Sequence, residues 1–158
     1  MRYQDPDVRL DLGGIAKGYG IDRAVAAVRN LGVSHAIVTV GGDLFALGAS
    51  PEGGPWRVGI RSPHDRNALA ATLEVADQAV TTSGDYERFF RWHGRTYHHL
   101  IDPVTGAPRV TPMHSATVIG ADCMNADAAA TASFGLPHDE AIALVRRRIN
   151  RAEVIPLT

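Results

Sequence analysis

The sequence predicts an α+β fold, a mixed or antiparallel sheet with packed helices, and three observations carry that prediction. Apolar residues recur at helical spacing only near the start of the chain and in its last third. The stretch between them is alternating and β-branched, and it is cut into short pieces by glycine, proline and asparagine or aspartate turns. No regular alternation of strand and helix appears, so a parallel wound sheet is not expected.

The elements follow in order. Ile21, Ala24, Val25, Val28 and Leu31 recur at helical spacing, giving a helix from about Lys17 to Leu31 that stops at Gly32. His35 to Val40 is apolar and β-branched, the pattern of a strand buried on both faces, and Leu44 to Leu47 continues as a second strand beyond Gly41-Gly42-Asp43. Ser50 to Pro55 is a loop, and Trp56 to Arg61 alternates as a half-buried strand does. Leu69 to Val75 and Gln78 to Thr82 are further strands with a turn at Asp77-Gln78. Tyr86 to Ile101 forms a hairpin around His93-Gly94, followed by a loop from Asp102 to Pro112. Ser115 to Ile119 is a strand, the alanine-rich run Asn125 to Phe134 a helix, and Gly135 and Pro137 break it. His138 to Arg148 is a last helix, acidic in its first turn and basic in its last, as the helix dipole favours. Glu153 to Leu157 closes the chain as a strand.

Composition sets the bounds on function. A chain of 158 residues, 45% hydrophobic and 21% charged, suits one soluble domain with a genuine core. A formal net charge of -1 gives no general attraction to nucleic acid or to acidic membranes. No apolar run approaches a membrane span, and neither a secretory signal nor a lipidated cysteine opens the sequence. Cys123 is the single cysteine, which excludes an internal disulfide and an all-cysteine metal site and fits a reducing compartment.

Four clusters carry chemistry. Gly13-Gly14-Ile15-Ala16-Lys17 precedes a helix start, where unpaired N–H groups and the dipole favour an anion and a lysine adds a point charge. It departs from both common phosphate loops, since Gly18 follows Lys17 and Arg23 takes the place of a third glycine; a plain tight turn is the competing reading. Thr81-Thr82-Ser83-Gly84-Asp85 puts hydroxyls and backbone amides at a strand end, suited to phosphate or ribose, or else makes an ordinary turn capped by Asp85. In Tyr97-His98-His99-Leu100-Ile101-Asp102 the two histidines fall on opposite faces of a strand, so one of them at most lines a given pocket as acid or base. Two surface histidines are the alternative. Asp127 and Thr131 stack on one helix face at i and i+4, and a carboxylate with a hydroxyl suits Mg²⁺; an Asp near a helix start with a Thr nearby is the plainer reading.

Taken together and in order, D-L-G-G-I-A-K-G-Y-G-I-D, V-G-G-D, T-T-S-G-D-Y-E-R, Y-H-H-L-I-D-P-V-T-G and N-A-D-A-A-A-T-A resemble the ApbE family over roughly residues 10 to 135. These are Mg²⁺-dependent FAD:protein FMN transferases. The resemblance implies cleavage of the FAD pyrophosphate and transfer of FMN, through a phosphoester bond, to a Thr or Ser hydroxyl of an acceptor flavoprotein. Some relatives hydrolyse FAD to FMN and AMP instead, and a flavin-nucleotide-binding module without catalysis is a further possibility. The resemblance assigns Mg²⁺ to the Asp127 carboxylate, the Thr131 hydroxyl and the Ala16 carbonyl, with Asp127 also counted as catalytic. It places Lys17 by the pyrophosphate beside Gly13 and Gly14, and makes His99 the catalytic histidine. Gly42, Asp43, Ser83 and Gly84 match segments lining the flavin site, and Asp102, Thr105 and Gly106 match a loop near it.

Family members usually carry about as much chain again before this run, so residues 1–158 are expected to be a single domain equivalent to the C-terminal part, with the amino-terminal part absent. A fragment, a split protein and a short homologue are all open, and a separate amino-terminal half or a second copy is the expected partner. Apolar surface exposed by that absence is expected to drive association. The family is often periplasmic or membrane-anchored; the sequence itself names no compartment.

Overall fold

A computed structural model describes residues 7–65, 67–149 and 152–158. Helix α1 spans Ala16–Asn30, α2 Cys123–Ser133 and α3 His138–Arg148. The strands are β1 (Ala36–Val40), β2 (Asp43–Leu47), β3 (Trp56–Arg61), β4 (Leu69–Val75), β5 (Gln78–Gly84), β6 (Phe89–Trp92), β7 (Arg95–His98), β8 (Ser115–Gly120) and β9 (Glu153–Leu157). β1, β2, β5, β8 and β9 form one sheet in that spatial order, antiparallel at every pair. The fold is therefore α+β with antiparallel sheets, as the element order predicts.

The sheet is covered on both faces. On one, Ile21 and Val25 of α1, Ala126 and Ala130 of α2 and Val145 of α3 bury against Phe45, Leu47, Ala79 and Val118. On the other, Val58 and Val75 of the β3–β4 ribbon pack on Ala46, Val80 and Ile119. A third cluster of Leu100, Met113, Ala116 and Phe134 anchors the segment around β7 to the end of α2. Among the described residues no helix is long and apolar enough to cross a membrane.

Three local expectations are corrected. The strand at 35–40 is not buried on both faces: β1 is the sheet edge, with Ile37 and Val40 exposed. The strand buried at every position is β8, which lies between β5 and β9. Apolar β-branched composition does not distinguish an edge from a centre. Leu31 lies past the last turn of α1, where Gly32 at φ 82° ends the helix, and its side chain is exposed rather than on the core face. Asp85 caps no turn, because its carboxylate pairs with His114 Nδ1 at 2.9 Å.

Candidate functional site

The site begins with two tight features at the chain's start. Gly41 and Gly42 take φ of 58° and 94°, the two positive values of the turn joining β1 to β2, so that Val40 pairs with Asp43 across it. The turn sets Asp43 at the first position of β2, with its side chain wholly buried. Asp43 Oδ1 accepts from the Thr82 N–H of β5 at 2.9 Å. The second feature is the contact of α1 with α2. Gly18 packs against the Cys123 carbonyl so closely that a methyl group would have no room.

At that contact the two helices cap one another. Asp127 of α2 is buried, and its Oδ2 accepts from the Gly18 N–H in the first turn of α1 at 3.0 Å. Asp22 of α1 accepts from the Cys123 and Met124 N–H groups at 2.8 and 2.9 Å, satisfying the first turn of α2. Asp122 completes that cap by accepting from Asn125. Sequence reading missed Asp22. An aspartate mid-helix gives no local sign that it caps a helix a hundred residues away.

Lys17 bridges the two buried carboxylates. Its Nζ donates to Asp127 Oδ1 at 3.0 Å and pairs with Asp43 Oδ2 at 2.7 Å. Burial would lower the Lys17 pKa, but the bonds and charges of Asp43 and Asp127 outweigh it and raise the ammonium above its ordinary value. For Asp43, burial is the largest influence and raises the carboxyl above its ordinary range despite Lys17 and the Thr82 N–H. Two carboxylates against one ammonium leave the cluster with one net negative charge.

The donors at the start of α1 already have partners within the protein. The N–H groups of Ile15 and Ala16 bond the Leu12 carbonyl, Gly18 is taken by Asp127, and Lys17 is paired. What the helix start presents is a buried ionic cluster of one ammonium and two carboxylates. The Thr131 hydroxyl, one turn beyond Asp127 on α2, lies 3.1 Å from the Ser83 hydroxyl. The Gly14 backbone sits against Thr131, where a Cβ would come within 3.1 Å. Lys17, Asp43, Asp127, Thr131, Ser83 and Gly14 are thus brought together. Ala16 opens α1 within the same turn, whereas Gly13 is held by Asp11 outside it and Gly84 packs under the Tyr86 ring.

The histidines separate as strand alternation requires. His98 Nε2 donates to the Arg109 carbonyl at 3.0 Å, and its Nδ1 accepts from the Leu100 N–H at 3.3 Å. Both ring nitrogens are therefore engaged by backbone. His99 is exposed, and its Nδ1 donates to the Arg88 carbonyl at 3.2 Å. A carbonyl only accepts, so the neutral His99 ring carries its lone pair on Nε2, the arrangement of a general base. No hydrogen bond or ion pair among the described residues links His99 to the Asp43–Asp127 cluster.

Asp102 shapes its own loop. Oδ1 accepts from Val104 and Thr105 at 2.8 and 3.0 Å, Oδ2 from Arg109 Nε at 3.2 Å, and these donors lower its pKa. Gly106 at φ 68° turns the loop back to Asp102. Arg109 also donates to the Phe134 carbonyl and so ties the loop to the end of α2, a link the sequence does not signal.

Comparison with known proteins matches this arrangement to one family. The model of the ApbE family matches residues 1–155. A protein named FAD:protein FMN transferase from Treponema pallidum is 42% identical over 148 residues, 88% of this chain and 41% of its own length. One of the same name from Klebsiella pneumoniae is 38% identical over 92% of this chain and 44% of its own length. The crystal structure of an ApbE protein from Thermotoga maritima superposes with a TM-score of 0.86 at 35% identity, covering 94% of this chain and 48% of that one. The flavin transferase ApbE from Vibrio cholerae gives 0.81 at 34% identity. The chain spans less than half the length of these relatives. Sequence similarity and fold agree: the chain belongs to the ApbE family.

Proposed function

We propose that this chain is the C-terminal, single-domain share of a Mg²⁺-dependent FAD:protein FMN transferase, with further polypeptide supplying the rest of the flavin pocket. The observation that carries the reading is the buried Lys17–Asp43–Asp127 cluster with its single excess negative charge. Asp43 Oδ2 is buried against the Lys17 ammonium, and the nearby Ser83 and Thr131 offer hydroxyl oxygens. An all-oxygen, net anionic set fits a hard divalent cation. The ligands carried over from the family resemblance are the Asp127 carboxylate, the Thr131 hydroxyl and the Ala16 carbonyl, an all-oxygen set; among the described residues no group of three His, Cys, Asp or Glu side chains offers an alternative. When bound, Mg²⁺ supplies charge neutralisation for the pyrophosphate.

The chain's own residues do the rest. Lys17, held ammonium by its two carboxylates, stands by to pair with phosphate oxygens. Gly13 and Gly14 let the backbone approach the nucleotide, and Gly42, Asp43, Ser83, Gly84 and the loop of Asp102, Thr105 and Gly106 line the flavin side. His99 Nε2 takes the proton of the acceptor Thr or Ser hydroxyl. As that oxygen bonds the FMN phosphorus, the pyrophosphate bond breaks and AMP departs with the bonding pair. The exposure of His99 favours a second reading in which water replaces the acceptor and FAD is hydrolysed to FMN and AMP.

The test is incubation with FAD, Mg²⁺ and a threonine-bearing acceptor, with and without the portion of the Treponema pallidum relative that this chain does not cover. In-gel flavin fluorescence on the acceptor together with AMP release is the expected result. AMP without labelling selects hydrolysis, and FAD binding without either leaves a flavin-nucleotide-binding module. Asp127→Asn is expected to abolish Mg²⁺ dependence; full Mg²⁺-stimulated turnover in that variant would overturn the metal assignment.

A further inference from the structure

Beside β7 the structure opens a cleft of about 560 Å³ whose opposite wall is the segment Ala107 to Thr111. Its origin lies in an interrupted ladder. Ile101 bridges Pro108, Asp102 donates to Ala107, and Arg109 donates to the Leu100 carbonyl, so the two segments begin as an antiparallel pair. The next bond would join the Leu100 N–H to the Arg109 carbonyl. The His98 imidazole stands in its place, accepting from Leu100 on Nδ1 and donating to Arg109 on Nε2. Beyond that wedge the two segments form the facing walls of the cleft.

The outer edge of β7 is left unpaired as a result. His93 and Gly94 have φ of 45° and 74°, a two-residue turn that makes Trp92 and Arg95 a hydrogen-bonded pair. The His99 N–H bond to Arg88 fixes the same phase at the other end of the hairpin. Alternation then points the N–H and C=O groups of Thr96 and His98 away from β6, toward the cleft. Of the charged side chains lining the cleft, Asp102 is paired with Arg109 and Asp85 with His114, while Arg95 stands exposed at that edge and in no ion pair among the described residues.

We propose that this cleft takes an extended, acidic segment of the acceptor polypeptide as an added strand on β7, which delivers its hydroxyl to His99 at the strand's end. The proposal rests on the transferase reading above. An unpaired strand edge gives main-chain affinity for an extended peptide, and the unpaired Arg95 favours an acidic residue beside it. The sequence step from His98 to His99 joins the docking edge to the general base directly.

A rhodamine-labelled peptide of about six residues, one threonine among alternating valine and glutamate, tests this by fluorescence anisotropy against the full chain. Saturable binding that survives saturating FAD is expected. Arg95→Glu should weaken it about fivefold, and replacing the peptide's glutamates by lysine should do the same. Thr96→Pro deletes an outward N–H without touching the β6 ladder, and should weaken binding while circular dichroism is unchanged. Absence of saturable binding, indifference to Arg95→Glu, or displacement of the peptide by FAD would overturn the proposal. Failure of the transferase reading is separate: peptide binding would persist with no FAD-dependent labelling.

Discussion

Lys17 is the residue on which the buried cluster depends. It is about one-third exposed, whereas both of its partners are fully enclosed, with side-chain exposures of 1% and 2%. Removing it as Lys17→Met strands two carboxylates, at a cost of about 2 kcal/mol once the ammonium's partial exposure is discounted. The pH dependence follows from the raised Asp43 pKa. A carboxyl whose folded pKa lies above its unfolded value favours the folded state below the unfolded pKa and loses that advantage as pH rises through the folded one. Without Lys17 the folded value rises further. Thermal unfolding should therefore show the deficit of Lys17→Met greatest at neutral pH and shrinking as pH falls toward the carboxylate range. A pH-independent deficit would mean that Lys17 acts through packing alone. In the native protein the stabilisation from Lys17 is complete between the carboxylate range and its ordinary pKa of 10.5, and is lost at the alkaline end as pH rises through its higher folded value.

Among the elements, α1 and α2 set the geometry of the site, and their mutual capping holds them. Asp22→Asn keeps one acceptor oxygen where two now serve Cys123 and Met124, and should cost about 1 kcal/mol in denaturant unfolding. Because Asp127 and Thr131 ride on α2, the same variant should also weaken affinity at the proposed Mg²⁺ site; unchanged Mg²⁺ affinity would make Asp22 purely structural. How much of this the sequence discloses depends on its range. Spacing along a helix exposed the Asp127–Thr131 pair, and the His93-Gly94 turn, α3 and β9 are local patterns read directly. Gly41-Gly42 marked the turn that buries Asp43. The ion pairing of Lys17, the capping by Asp22 and the His98 wedge join segments distant in sequence or depend on a side chain replacing backbone. No local pattern encodes them. The edge position of β1 was hidden for the same reason, since burial depends on which strands lie alongside.

At the scale of the molecule, two groups among the exposed apolar side chains lie by the site and on the hairpin. Val8, Leu10 and Leu12 lead into the site with exposures of 49%, 57% and 59%, and Phe90 and Trp92 stand out on the β6–β7 hairpin at 63% each. Patches of this kind mark contact surfaces. The chain is expected to self-associate with rising concentration in multi-angle light scattering, and Leu10→Asp with Leu12→Asp should shift the distribution back toward the 16.9 kDa monomer. A constant monomer mass across the range would show that these residues need no cover.

The capping of each helix by the other also dictates when the site comes into being. Gly18 and Asp127 are 109 residues apart, and Asp22 lies 101 residues from Cys123. At ordinary rates of synthesis, α1 emerges roughly 5–20 s before the carboxylate that completes its first turn. The β6–β7 hairpin, by contrast, closes locally within microseconds of appearing. The strand edge thus forms from neighbouring residues, whereas the ionic cluster must wait for a segment made much later. The ionic cluster is therefore a report that the chain has been made through α2 and that α2 has docked on α1.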